Sequence, residues 1–569
     1  MSPRIVAGWL ALALAIGAPA LAQEPTVPPA GLAAEAAGDW DRAIGVYRQA
    51  AEESRRADLW VRISRIEATR DRPAEALAAI ERALELEPDD VELLRARAEL
   101  ASWAGDYEAA DDSFRRIGER TGEPDAALGR ARIAAWRGRI AASIGHYRTY
   151  LRAVPGDSVA TIELARQETW RGNARGALGV LEDYRARFGE TADWRIERAR
   201  ALVTGGRPRQ AAALLAPLVA ERPDDYEARL VLTLALSDAG RRSEAVESVD
   251  ALARIDAASA RTAEVRAYVT APIRSMVRPR YELYDDSDEV RHDLFGVEGA
   301  LALSPRARLV AEATITDVSG EPGSALAPLD GSESVREAGG DAGVVVGLEG
   351  AGEIEARLGA MGSDDHDLLT WLAAARLTPT DAIGITLAAQ RDFLDVSARS
   401  LDLGIERTAG RAALRVSPAI GWTIEASGSR ESYSDDNGRW EARVAASTAV
   451  LRRQLVNVDL GVASRWLSFD EDTDGGYYDP EWYRQHLGVV STYWKLDDQA
   501  GLSLRGAAGA FKDDVVESWE RSLETAAEAT FGITTDWSLV VRAAWLDNVR
   551  SVTGAFNAVG AGIYLTRRF

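Results

Sequence analysis

At 569 residues the chain is too long for one hydrophobic core, so two or three structural units are expected. A formal net charge of −22 argues against nucleic acid as a partner. With no cysteine, the chain has no disulfide framework, thiolate metal ligand, thiol nucleophile or lipid-bearing N-terminal Cys.

The N-terminus carries Arg4, an apolar run from Ile5 to Ile16, and the small-x-small sequence Ala20-Leu21-Ala22. This pattern predicts a signal peptide over residues 1–22, hence secretion, with residues 23–29 as a linker. The run is shorter than the roughly 20 residues a helical span needs, which disfavours an uncleaved anchor. No later stretch is long and apolar enough to span as a helix, so residence in a membrane would require a barrel.

Residues 30–270 contain a repeat. Ala43, Ala76, Ala110, Ser143, Ala177, Ala211 and Ala245 recur at steps of 33 or 34 residues in similar contexts, such as GDWDRAIGVY and GRPRQAAALL. Four residues after each comes a large side chain on the same helical face: Tyr47, Ile80, Phe114, Tyr147, Leu181, Leu215 or Val249. Pro88, Pro155, Pro223, Gly122 and Gly189 end helices at the matching point of their copies. The pattern resembles the tetratricopeptide repeat over about seven units. That resemblance implies two helices per unit and a stacked α-solenoid whose concave face binds a partner.

Trp103, Trp136 and Trp170 hold one position in three successive repeats, each followed two residues later by Gly105, Gly138 or Gly172. Two readings stand. The indoles fill gaps between helix pairs, or they form a stacking surface for a polymer, because sugars present flat C–H faces that lie well on indole.

From about residue 275 the helical period gives way to alternation. Phe295, Val297, Leu301 and Leu303 fall on one side and Glu298 on the other, and Leu309 and Ile315 oppose Glu312. Val456, Val458, Leu460, Val462 and Trp466 oppose Asn457, Asp459 and Arg465. The last stretch alternates in the same way, with Trp537, Leu539, Val541, Ala543 and Trp545 on one face. The chain ends on Ile563, Leu565 and Phe569. A two-sheet sandwich shows the same alternation. Apolar bands with aromatic ends, a terminal Phe and the signal sequence favour an antiparallel transmembrane β-barrel over residues 275–569. Arg567 departs from the terminal pattern, standing where an apolar residue is usual. About sixteen strands result if SARSLDLGIE is a loop and GRAALRV a strand. The overall class is therefore α + β in two domains.

Short connections such as SPRA and TPTD alternate with long acidic ones such as VSGEPGSALAPLDGSES and DEDTDGGYYDP. The short ones are expected in the periplasm together with the repeats, and the long ones outside. The lumen face is expected to carry Glu298, Glu312, Glu425, Glu520, Glu524 and Glu528 among other carboxylates, in excess over arginines such as Arg357, Arg465, Arg484, Arg505 and Arg542. These are either water-facing residues of a polar lumen or a field that repels polyanions and admits neutral or cationic polymer.

Asp470, Asp472, Asp474, Gly475 and Glu481 fit the spacing of a twelve-residue calcium loop. Strands rather than helices should flank it and Pro480 precedes the closing carboxylate, so an acidic external loop is the competing reading. Calcium is the one cofactor this sequence raises. His146, His292, His366 and His486 show no metal-like spacing and no nucleophile–base motif is present, so no enzymatic activity is expected.

A signal peptide, a tetratricopeptide array and a C-terminal barrel together resemble the outer-membrane exporters of bacterial exopolysaccharides, of the poly-N-acetylglucosamine export porin and cellulose synthase outer-membrane subunit type. The phrases SRESYSDDN and GAGIYLTRRF also resemble YaiO-type barrels. The resemblance implies an outer-membrane protein with a periplasmic array that binds exopolysaccharide, a polysaccharide-modifying enzyme or an inner-membrane synthase, and a barrel that passes one chain. It carries over no catalytic residue. The other class considered is a barrel-anchored binding scaffold or surface receptor that exports nothing.

Overall fold

The computed structural model describes residues 27–516, 518–550 and 554–569. The segment read as a signal peptide lies outside these residues. Fifteen helices run from α1 (Pro29–Ala36) to α15 (Ala260–Thr270), and the first strand begins at Met276.

The repeat arises as the sequence pattern requires. All seven small residues, from Ala43 to Ala245, are completely buried, because a larger side chain there would hold the paired helices apart. Ser143, the one polar member, donates its hydroxyl to Ala131 O at 2.8 Å. Most of the large partners four residues on are buried as well, among them Tyr47, Ile80, Tyr147 and Leu215. Helices stop where they were expected to: Gly122 takes positive φ after α6 (Tyr107–Thr121), and Gly189 does so after α10 (Ala174–Phe188).

The chain divides into two compact units, residues 1–167 and 168–569, so the division falls within the array, inside α9 (Ser158–Trp170). The second unit joins the last repeats to the barrel. There α10, α12 (Pro208–Glu221) and α14 (Arg242–Ile255) each begin against one end of the barrel. Arg175 donates to Ala449 O at 3.4 Å. The backbone N–H groups of Arg209 and Gln210 donate to the Asp381 carboxylate at 3.0 and 3.1 Å. Ser243 donates through its hydroxyl to Glu349 at 2.6 Å. Positions 175, 209 and 243 lie one repeat apart; the turns at Glu349 and Asp381 lie one hairpin apart, and Ala449 lies two hairpins beyond Asp381, with the turn at 417–421 between. Two strands repeat every ~10 Å and packed helices at about 8–10 Å, so α12 and α14 can meet successive short turns.

This docking also completes the helices. α10 starts on Asn173, which caps its own helix, whereas α12 and α14 start on Arg207 and Arg241, which offer no cap. Asp381 and Glu349 supply the missing carboxylates at the positive helix ends. Arg207 donates instead to Asp381 O and Ser417 O, at 2.9 and 2.5 Å.

Sixteen antiparallel strands then close into a barrel. They are β1 (Met276–Asp286), β2 (Arg291–Ser304), β3 (Ala307–Ser319), β4 (Ser334–Gly347), β5 (Gly352–Ser363), β6 (His366–Thr380), β7 (Ile383–Phe393) and β8 (Glu406–Val416). The second half is β9 (Trp422–Tyr433), β10 (Gly438–Arg452), β11 (Val456–Phe469), β12 (Tyr483–Lys495), β13 (Ala500–Asp513), β14 (Glu520–Gly532), β15 (Trp537–Arg550) and β16 (Gly554–Arg568). The seam pairs β1 with β16, and Phe569 N donates to Ser275 O at 3.0 Å. Arg567 lies over the ring of Trp537, 5.4 Å from its centroid, so the unusual terminal residue is held by a cation–π contact.

The outer face is apolar and exposed, as lipid contact requires: Phe295, Val297, Leu301 and Ile315 on β2 and β3, Leu460 and Val462 on β11, Ile563 on β16. Exposed aromatics stand near both rims, with Trp422, Trp494, Phe531 and Phe569 by the short turns and Trp440 and Trp519 by the long loops. No helix among the described residues is long and apolar enough to cross a membrane. SARSLDLGIE is indeed no strand. It holds a short helix, α16 (Ala398–Asp402).

Candidate functional site in the barrel lumen

Directly paired residues on neighbouring strands share a face, so the lumen wall can be followed sideways from strand to strand. One row runs Tyr493, Ser503, Glu528, Arg542, Gly562, Glu282, each paired with the next. The row beside it, nearer the long loops, runs Ser491, Arg505, Ala526, Ala544, Gly560, Tyr284 and His292. Ser491, Ser503, Ala526, Ala544, Gly560 and Gly562 keep these two rows low between the longer side chains, and a chamber of about 700 Å³ opens against them. Tyr493 is 44% exposed although it faces inward, which marks this side of the lumen as open.

The other side carries the denser ion pairs, with further spaces of about 960 Å³ against β5–β10 and about 400 Å³ against β9–β14 between them. Arg357 binds Glu355 at 2.6 Å, Asp341 at 3.2 Å and Glu312 at 3.3 Å, and Arg280 reaches Glu312 at 2.6 Å. Glu353 takes Arg376 at 3.2 Å and Arg308 at 3.5 Å. Glu441 is surrounded by Arg439, Arg443 and Arg465, the last at 3.2 Å.

Of the expected lumen carboxylates, Glu298 pairs with Arg278 at 3.2 Å, Glu425 with Arg415 at 3.7 Å, Glu524 with Arg505 at 3.1 Å and Glu528 with Arg542 at 2.7 Å. Glu520 sits at the long-loop end, where Ser518 donates to it at 3.0 Å. The field is therefore more neutral than the carboxylate excess implied, because Arg278, Arg280, Arg308, Arg376, Arg439 and Arg452 also pair with inward carboxylates. One inward assignment is corrected. Arg484 pairs in register with lipid-facing Trp466 and lies over Trp482, 5.3 Å from the ring centroid, on the outer face near the long loops.

A feature that strand periodicity does not show is a strap, residues 394–405, that carries α16 into the lumen between β7 and β8. Leu394 and Ile405 pack with the inward Tyr433, Phe469, Tyr483 and Phe511 of β9, β11, β12 and β13. Ala398 and Leu401 pack with Val318, Val335 and Leu368 of β3, β4 and β6. Since β4 and β12 lie eight strands apart in a ring of sixteen, the strap bridges opposite walls. Hydrogen bonds fix it: Ser363 Oγ to Leu401 O at 3.2 Å, Leu329 N to the Asp402 carboxylate at 2.7 Å and Ser397 Oγ to Gly476 O at 2.5 Å. The available signal is the apolar Leu401 and Ile405 in SARSLDLGIE, a segment the strand count treats as a loop.

Trp136 and Trp170 are each 40% exposed and Trp103 is half-buried; the Trp136 ring lies 5.9 Å from Tyr107. Trp194 shows what a core indole looks like in the same array: 2% exposed, with Nε1 donating to Leu181 O at 2.7 Å. In the calcium-type loop Asp470 is committed to Arg430, and Asp479 rather than Asp472 or Asp474 accepts from Thr473 N at 2.7 Å. The Glu481 backbone N–H donates to the Asp514 carboxylate at 3.0 Å. Among the described residues no group of three or more His, Asp or Glu side chains is arranged to hold a metal ion.

Models of the tetratricopeptide repeat match residues 57–100 and 196–260. No curated protein matches the chain. A solved structure described as a bacterial polysaccharide outer membrane secretin aligns with 52% of this chain and 99% of its own, at 13% identity and a TM-score of 0.45. A tetratricopeptide repeat protein from Parabacteroides merdae aligns with 42% of this chain and 96% of its own, at 15% identity and a TM-score of 0.34. The type IV pilus biogenesis factor PilW aligns with 36% and 94%, at 19% identity and a TM-score of 0.29. The chain is thus a tetratricopeptide array followed by a closed sixteen-strand barrel, an assignment that rests on the repeat models and on the strand pairing itself.

Proposed function

We propose that this is an outer-membrane porin that exports an exopolysaccharide, with the repeats in the periplasm. The observation that carries the reading is a closed barrel with a polar, ion-paired lumen whose short-turn rim is joined by hydrogen bonds to the last repeats. A lumen of fixed, mutually neutralised charges gives sliding hydroxyl groups partners on every side without trapping a polyion. The half-exposed Trp103, Trp136 and Trp170 each offer a ring on which the polymer can stack. The rest of the array recruits a polysaccharide-modifying enzyme or an inner-membrane synthase.

Secretion assays test the proposal. Cells lacking the protein should retain polymer in the periplasm and regain secretion on complementation with the full chain, whereas unchanged secretion overturns it. The strap favours a second reading, a barrel-anchored scaffold or surface receptor. If replacing residues 395–404 by a short glycine–serine turn produces no conductance in planar bilayers, that second reading stands.

A further inference from the structure

The strap does not fill the lumen evenly. It rests on the walls of β3–β6 and β9–β13, and leaves the chamber against β12–β16, β1 and β2, into which only its Asp395 reaches. We propose that this chamber is a binding site for a short neutral oligosaccharide segment, closed over by the strap. The inference rests on the export reading and adds a place where the chain pauses.

Three observations define the ligand. Tyr284, Tyr493 and Tyr564 line the chamber, and ring faces with hydroxyl tips suit pyranose rings. Arg542 both binds Glu528 at 2.7 Å and stacks over Tyr564 at 4.9 Å, so its charge is already answered and it offers its remaining N–H groups to hydroxyls. The same holds for Arg505 with Glu524 and for Asp459 with Arg452 at 2.6 Å. A site without an unanswered cation gives a polyanion nothing to bind, and Asp395 adds repulsion, while Glu282 is answered by Arg280 at 3.4 Å. A lipid is disfavoured as well, because the two rows offer no continuous apolar surface. The volume of about 700 Å³ lies within the range of small-ligand sites and accommodates several sugar units.

The floor is made by absence of side chains. At Gly560 an added Cβ would meet nothing nearer than Leu283 O at 3.9 Å, so a side chain placed there would enter the chamber without straining the sheet. Gly560→Leu is therefore a filling variant that should leave the barrel assembled.

The test uses the full chain in detergent, titrated with cellopentaose, chitopentaose and pentagalacturonic acid by calorimetry. The parent should bind at least one of the neutral pentamers and not the uronate. Tyr564→Ala and Tyr493→Ala should each weaken binding about tenfold, and Gly560→Leu should abolish it with heat-modifiable mobility unchanged. Stronger binding of the uronate, or neutral binding that survives Gly560→Leu, overturns the proposal. So does absence of binding in both the parent and the form whose strap is replaced by a glycine–serine turn. Secretion by Gly560→Leu cells separates the two readings: loss of pentamer binding with normal secretion leaves the conduit standing, and binding without any secretion by the parent removes the conduit and keeps the site.

Discussion

The two sides of the lumen follow one alternation and end differently. On β9–β12 and β3–β6 long charged and aromatic side chains stand inward among small residues such as Gly343, Ser427 and Ala445, and at the long-loop end they interlock and carry the strap. On β13–β16 and β1 the inward positions hold Ser503, Ala526, Ala544, Gly560 and Gly562 between isolated Glu–Arg pairs, and space remains. Periodicity decides which residues face inward, whereas their size decides whether there is a passage. The difference predicts that the crowded wall bears the stability and the sparse wall the traffic.

Glu441 gives the largest effect. It is 8% exposed and shared by three guanidinium groups, so Glu441→Ala leaves Arg439, Arg443 and Arg465 facing one another. A loss of about 3 kcal/mol is expected, measured as a fall in the urea midpoint of the folded barrel in detergent. Glu528→Ala on the sparse wall, where both partners are half-exposed, should cost under ~1 kcal/mol. Equal losses would erase the distinction between the walls.

Phe511 comes next. It is fully buried where the strap leans on the crowded wall, and its ring stacks on Tyr483 at 5.7 Å. Phe511→Ala should cost about 3 kcal/mol and loosen the strap. Single-channel recordings should then show openings that the parent lacks. Lost stability without openings would mean that the strap is held by its hydrogen bonds to the loops and not by the wall.

Much of this was legible in the sequence, and the reasons for the rest are physical. Repeat positions and lipid-facing residues announce themselves because burial or lipid contact imposes a period, as at Ala211 or Leu460. The strap does not, because a loop folded inward has no period to impose. The arginine partners were undercounted because Arg278 and Arg280 flank Pro279 in a strand without apolar alternation. Arg484 reads as inward for a related reason: a long polar side chain at a rim can lie on the outer face beside an aromatic, here Trp482. The contact of repeats with turns was illegible too, for Asp381 in TPTD reads as an ordinary turn residue until its helix is found.

That rim contact yields a smaller effect. Asp381 accepts from two backbone N–H groups of a helix without a cap of its own, so Asp381→Ala should destabilise the docked repeat by about 1 kcal/mol. Limited proteolysis should cut near residues 205–210 sooner than in the parent. Asp381→Asn, which keeps an acceptor, should recover most of the loss. An unchanged cleavage pattern would mean that Arg207 and its carbonyl contacts hold the rim alone.

The smallest energetic effect is the most direct reading of the sparse wall. Glu524 and Glu528 are each answered by one arginine, so the parent, recorded with its strap replaced, should be only weakly cation-selective. Replacing Glu520, Glu524 and Glu528 together by Gln removes the carboxylates and leaves Arg505 and Arg542 unanswered in a narrow lumen, where screening is weaker than at an open surface. Reversal potentials in asymmetric salt should therefore move past neutrality to anion selectivity, while the urea midpoint stays within about 1 kcal/mol of the parent. Strong cation selectivity retained by the triple variant would place the selecting charges elsewhere, on the crowded wall or in the acidic long loops.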